Sequence, residues 1–221
     1  MSSNASYRLS GIALLSGGIL SVVYYVTQSF GSDTDIKTLT SSLFLISSII
    51  GFIGSLLALL GLPGVYIRQA KQAGILGLLG FLGIAYVILM QGVLIPFTSI
   101  TIVPFLASNS NPALQALATS APPAMEPFFL VSLAGQTLGI LLLAIATLRA
   151  RVFPRWIAWL LIATLIGGLL SFLPALPPLL ESLAPVIASV ALVGFGSALL
   201  QPQRSAAAQP ASVSTNMGAR V

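Results

Sequence analysis

Residues 43–95 read LFLISSIIGFIGSLLALLGLPGVYIRQAKQAGILGLLGFLGIAYVILMQGVLI. Two uncharged apolar runs, Leu43 to Leu62 and Gly74 to Ile95, flank a short connection that carries Arg68 and Lys71. At a rise of about 1.5 Å per residue, each run is long enough for a hydrocarbon core of ~30 Å. Short loops rich in Lys and Arg stay cytoplasmic. The stretch therefore predicts two membrane-spanning helices joined on the inner side.

Four further runs share this character: Leu9 to Val26, Phe129 to Leu148, Trp156 to Leu173 and Leu183 to Leu200. None of the six contains Asp, Glu, Lys or Arg. The expected fold class is all-α, a polytopic transmembrane helical bundle with spans at about 9–26, 43–62, 74–95, 129–148, 156–173 and 183–200. The whole chain agrees. It is 57% hydrophobic and only 6% charged, with a mean hydropathy of +1.03. Soluble domains carry about 25% charged residues, so these apolar surfaces need lipid around them. Span one is too long for the apolar core of a secretory signal and has no small-residue cleavage site after it, which predicts an uncleaved first helix.

The charges set the orientation. Arg8, Arg68, Lys71, Arg149, Arg151, Arg155, Arg204 and Arg220 all fall on one side of a six-span arrangement. Lys37 stands alone on the other side, together with the four acids Asp33, Asp35, Glu126 and Glu181. The positive-inside rule then puts both termini in the cytoplasm. The net charge of +5 reads as this topology signal and not as a nucleic-acid surface. Trp156 and Trp159 beside Arg155, and Tyr24, Tyr25 and Phe30 at the far end of span one, fit the two headgroup levels, where Trp and Tyr concentrate.

Residues 97–128 are expected to form a long external loop. Within it, Asn111-Pro112 opens a short helix with Leu114, Leu117 and Ala118 as its apolar stripe. Whether that loop is a lid or a plain connector is left open by the sequence. The Ala-, Ser- and Pro-rich segment 201–221 lacks apolar periodicity and reads as a disordered cytoplasmic tail.

Lipid tails are as apolar as leucine, so helices in a bilayer associate through close packing of small residues. Gly17 in span one, Gly74, Gly77, Gly80 and Gly83 in span three, Gly135 and Gly139 in span four, and Gly167 in span five are the candidate packing positions. They suit either packing within the bundle or a surface for a second copy or another membrane protein.

The chain has no Cys and no His, and its spans carry no ionisable side chain except tyrosine. Disulfide, thiolate and Ser-His-Asp chemistry are excluded, and no metal or other cofactor is expected. Proton-coupled transport and voltage sensing normally use buried charges, which these spans lack. The strongest polar groups in the spans are Gln91 and Gln136. With spans three and four antiparallel, their depths differ by only ~4 to 5 Å. Ser47, Ser48, Thr137, Ser171, Tyr24 and Tyr25 share that outer half. These groups suit either interhelical hydrogen-bonding glue with interface residues or a shallow outward-facing pocket, with Gln91, Gln136 and Tyr25 in its wall and Glu126 near its rim.

The segments Leu62-Pro63-Gly64-Val65-Tyr66-Ile67-Arg68-Gln69 and Arg149-Ala150-Arg151-Val152-Phe153-Pro154-Arg155-Trp156 form basic, proline-containing inner turns. In them the chain resembles families of small bacterial six-helix integral membrane proteins whose domain has no assigned activity. The resemblance implies a six-helix bundle in a bacterial inner membrane and transfers no site residue. The sequence thus points to a multi-pass, non-enzymatic accessory or partner-binding module, with the bilayer and a second copy or another membrane protein as partners. The alternative is a carrier or binder of a neutral or lipid-like small molecule.

Overall fold

The computed structural model describes residues 3–31, 35–119, 124, 126–170 and 182–201. Among these the protein is all-α. Helix α1 runs Ser3–Gln28, the single turn α2 Ile36–Leu39, and α3 Ser42–Val87. A π-helical segment, Ile88–Leu94, continues α3 into α4, Ile95–Ala107. Then come α5, Pro112–Thr119; α6, Glu126–Ala150; α7, Arg155–Leu170; and α8, Leu183–Leu200. Four stretches are helical, long and apolar enough to cross a membrane: Ala5–Gln28, Ser42–Ala107, Glu126–Ala150 and Leu183–Leu200. Their outward faces remain apolar. Leu9, Leu60, Ile75 and Leu169 are each more than half exposed. Such a surface suits hydrocarbon and not water.

The 66-residue stretch Ser42–Ala107 is not one rod. Gly74 has φ 55° and ψ −143°, and the chain reverses there. Tyr66 lies 5.3 Å from Phe81, ring to ring, Ser55 faces Gly92, and Phe52 is 6.2 Å from Phe97. Partner numbers fall on one arm as they rise on the other, so residues 42–73 and 75–107 form an antiparallel hairpin. Only glycine adopts this backbone conformation without strain, which costs other residues ~1–3 kcal/mol. Gly74→Ala is therefore expected to lower the thermal midpoint in detergent, although a methyl group there would touch nothing within 4 Å. An unchanged midpoint would mean that the reversal does not depend on this conformation.

Two expected boundaries move. The connection 63–73 is helical, because Pro63 is absorbed inside the first arm and does not end it. Prolines are tolerated in membrane helices when neighbouring groups take up the freed carbonyl. Residues 97–107, expected in the external loop, are helical as α4. Pro96 sits in the first turn of α4, where the missing N–H costs little, and Pro104 is carried inside. The short helix after Asn111 is α5; the Asn111 side chain accepts from Ala113 N–H at 2.9 Å. Span five, expected at 156–173, is described only to Leu170, and the tail expected to be disordered lies outside the described residues beyond Gln201.

Glycines set the registers. A methyl group on Gly17 would lie 2.6 Å from the Gly54 carbonyl oxygen, so α1 and the first arm pack backbone to backbone. Gly11 and Gly18 do the same toward Gly196 and Ser189 of α8. Gly80 meets Leu143, and Gly83 meets Gly139, between the second arm and α6. Gly167 packs on Ala184 of α8, and Gly135 faces the Tyr86 ring. Gly77 does not belong to this set: a methyl group there would meet only Ala73 of its own hairpin. Gly74 serves as the turn, not as a packing position. A row of glycines three apart drifts around a helix, so only part of it can face one neighbour.

These registers gather Arg8, Arg68, Lys71, Arg149, Arg151 and Arg155 at one end of the bundle. There Arg68 Nη1 donates to the Ala198 carbonyl at 2.6 Å, and its guanidinium lies 5.6 Å from the centre of the Phe153 ring. Phe153 in turn meets Phe195 edge-on at 5.0 Å. A cation at the last turn of α8 satisfies carbonyls that the helix leaves open and opposes its dipole.

Candidate functional site

The site begins where the second arm and α6 part. At Gly83 and Gly139 the two backbones touch. Further from the basic end, side chains must bridge the gap. The Tyr86 hydroxyl and Ser132 Oγ are 2.7 Å apart, and Gln91 Nε2 donates to Gln136 Oε1 at 2.5 Å. Two carboxamides meeting end to end need wider axes than two glycines, so the helices form a wedge. The π segment Ile88–Leu94 lies along the open side of the wedge and has Gln91 at its middle. An extra residue per turn widens the helix and turns the following side chains; such segments recur at functional sites.

The wedge opens onto a cavity of about 240 Å³ at the centre of the bundle. All long helices contribute to its wall. Ser21, Tyr24 and Tyr25 come from α1, Ser55 from the first arm, Gln91 and Gly92 from the π segment. Gln136 comes from α6, Thr164 from α7 and Ser189 from α8. The remainder of the lining is apolar, with Ile84, Ile88, Leu143, Leu161 and Phe195 at the deeper end. Among the described residues no Asp, Glu, Lys or Arg lines it. A second hollow, a groove of about 470 Å³, lies on the other side of the glutamine pair and shares Gln91, Ile95 and Gln136 with the first.

The hydrogen bonds divide the polar lining by role. Ser21 Oγ donates to the Gly17 carbonyl at 2.9 Å, Thr164 Oγ1 to Leu160 at 3.0 Å, and Ser189 Oγ to Pro185 at 2.8 Å. Their protons are committed to their own helices, so these oxygens act in the cavity as acceptors. The two carboxamides hold more N–H groups than their mutual bond uses and supply donors. That bond is weak in net terms, since interhelical side-chain bonds in membranes average about 0.6 kcal/mol. An incoming molecule with its own donor and acceptor replaces it at small cost. Among the described residues the wall holds no histidine, thiol or carboxylate, and what it offers is hydrogen bonding and shape.

Of the residues expected in the pocket, Gln91, Gln136 and Tyr25 line the cavity, as does Tyr24. Glu126 does not: it is exposed at the first residue of α6 and lines neither hollow. Its helix starts three residues before the expected span, and the groove wall begins two residues further on, at Phe128. Ser47 and Ser48 are occupied elsewhere, accepting from Gln28 Nε2 at 3.2 and 3.4 Å. Thr137 turns back to the Leu133 carbonyl, and Ser171 lies outside the described residues. Sequence reasoning missed Ser55, Thr164 and Ser189, which are scattered single hydroxyls in different spans. Only the helix rotations bring them together. Among the described residues no group of His, Cys, Asp and Glu is placed to hold a metal ion.

No protein-family model matches the chain, and no curated protein or solved structure is similar to it.

Proposed function

We propose that this chain is a six-span protein of a bacterial inner membrane that binds or carries a small neutral molecule in a pocket opening away from the cytoplasm. The observation that carries the reading is the central cavity of about 240 Å³, uncharged and lined by amides and hydroxyls, with Gln91 and Gln136 paired at its edge. Polar groups inside a membrane domain are costly and mark ligand pathways when they converge. The reading of six crossings counts the two arms around Gly74 separately and adds the 16-residue α7. The basic residues gathered at the Gly74 end support placing that end, and both termini, in the cytoplasm. Among the described residues the wall offers amide and hydroxyl binding groups, which supports a binder.

A partner-binding accessory module is the alternative. It draws on the glycine faces, and Gly17, Gly80, Gly83, Gly139 and Gly167 are all met by neighbours within this chain. Native mass spectrometry of protein extracted gently from its own membrane separates the two readings. A monomer that retains a reproducible uncharged small molecule is the expected result. A dimer or a stable complex with another protein, free of any such molecule, would return the module reading to first place.

A further inference from the structure

We infer that the cavity and the groove beside it are two halves of one site for a neutral single-chain lipid, which enters sideways from the bilayer between the second arm and α6. The inference rests on the ligand-binding reading above and adds the class of ligand and its route.

Size is the first argument. A cavity of about 240 Å³ falls below the ~300–1,000 Å³ that pockets for drug-sized ligands occupy. It holds a headgroup and not a whole amphiphile. The rest of the molecule needs space that is continuous with the cavity, and the groove of about 470 Å³ supplies it. Gln91, Ile95 and Gln136 belong to both walls, so the glutamine pair stands at the junction.

Chemistry is the second. Beyond the junction the groove is lined by Met90, Leu94, Phe128, Phe129 and Leu133, a surface for hydrocarbon, with the hydroxyls of Thr98 and Ser132 already hydrogen-bonded to Ile95 and Tyr86. Leu94, Phe128 and Phe129 are 45%, 44% and 50% exposed on the side that lipid would cover. A cleft between two helices that opens to the acyl chains needs no aqueous entrance. Inside the junction the groups are carboxamide donors and hydroxyl acceptors, and among the described residues no charge is placed to pair a phosphate, carboxylate or ammonium. Burying such a charge unpaired is prohibitive, so the head is neutral. A hydroxyl-bearing head such as glycerol supplies both the donor and the acceptor that the wall requires. The ligand's head displaces the Gln91–Gln136 bond as it passes, and the tail stays in the groove.

The test uses full-length protein in lipid nanodiscs and a monoacylglycerol with a diazirine in its acyl chain. After irradiation, adducts are expected within residues 90–98 and 128–133, suppressed by excess unlabelled monoacylglycerol. A lysophosphatidic acid of the same chain length should not suppress them. Gln136→Leu removes one head contact and should cut saturable labelling about tenfold, the worth of one buried hydrogen bond. Leu133→Trp fills the groove and should abolish labelling there. Adducts spread over the lipid-facing surface and indifferent to competitor would overturn the inference in the wild-type protein alone, whatever the variants do. Equal competition by the charged lipid would overturn it too. If Leu133→Trp still carries its native small molecule in the mass spectrum while groove labelling was never saturable, the ligand-binding reading stands and the lipid inference falls. A protein that emerges empty from its own membrane defeats the reading on which both depend.

Discussion

Gly83→Val is expected to remove most of the folded protein. A side chain on Gly83 would run into the Cα of Gly139, and one on Gly139 would lie 2.6 Å from the Cα of Gly83. The obstruction is backbone on both sides, so no rotamer change relieves it. The second arm and α6 would have to separate by more than an ångström along a contact that Gly80 and Leu143 continue. Overpacking usually costs ~1–3 kcal/mol when flexible side chains give way. Here nothing flexible is available, and the loss belongs at or above the top of that range. Stabilities of ~5–15 kcal/mol do not absorb such a change without visible consequence. The checks are the yield of monodisperse protein on gel filtration and the thermal midpoint of what survives. Gly135→Ala on α6 makes the comparison: its methyl group would meet only the Tyr86 ring, at an ordinary 3.5 Å, and a much smaller loss is expected. Equal behaviour of the two variants would mean that the second arm presents a different face to α6.

Ala188→Phe is expected to abolish retention of the bound molecule and to leave the fold intact. Ala188 lies on α8 and faces the cavity. A phenyl ring is a substantial fraction of that space, since an engineered cavity of about 150 Å³ holds a whole benzene. Filling a cavity is commonly stabilising by ~0.5–2 kcal/mol, and the apolar part of this wall, with Leu161, Leu192 and Phe195, offers a phenyl ring its contacts. The thermal midpoint should hold or rise, and the adduct in the native mass spectrum should fall at least about tenfold, a change of ~1.4 kcal/mol in binding. The two readouts move in opposite directions, which separates loss of a site from loss of a fold. Wild-type retention in this variant would mean that the molecule binds elsewhere on the bundle.

The pairing of Gln91 with Gln136 is legible in the sequence because depth in a membrane helix is a one-dimensional quantity. Counting residues from the ends of two antiparallel spans brings the carboxamides to one level, and they are bonded to each other. Glu126, expected near the rim, is the exposed first residue of α6, two residues before Phe128 of the groove wall. Pro63 and Pro96 come directly after the ends of the apolar runs at Leu62 and Ile95, yet the helices carry both, and Pro104 as well, since neighbouring helices compensate locally for what a proline removes.

Composition and position along the chain are enough to establish an all-α protein with apolar runs long enough to cross a membrane. They are also enough for the basic bias in alternate connections and for two amides at one level. Which way each helix faces is a different kind of property, and it emerges only from the packed bundle. Packing turns Ser55, Thr164 and Ser189 inward and sends Ser47 and Ser48 to Gln28. It also sets Gly83 against Gly139 while leaving Gly77 without a neighbour from another helix. In lipid every face of these helices is apolar, so no alternation of polar and apolar residues records which face is the inner one. Rotation about the helix axis is set instead by where two backbones come close enough to touch, and that depends on both partners at once.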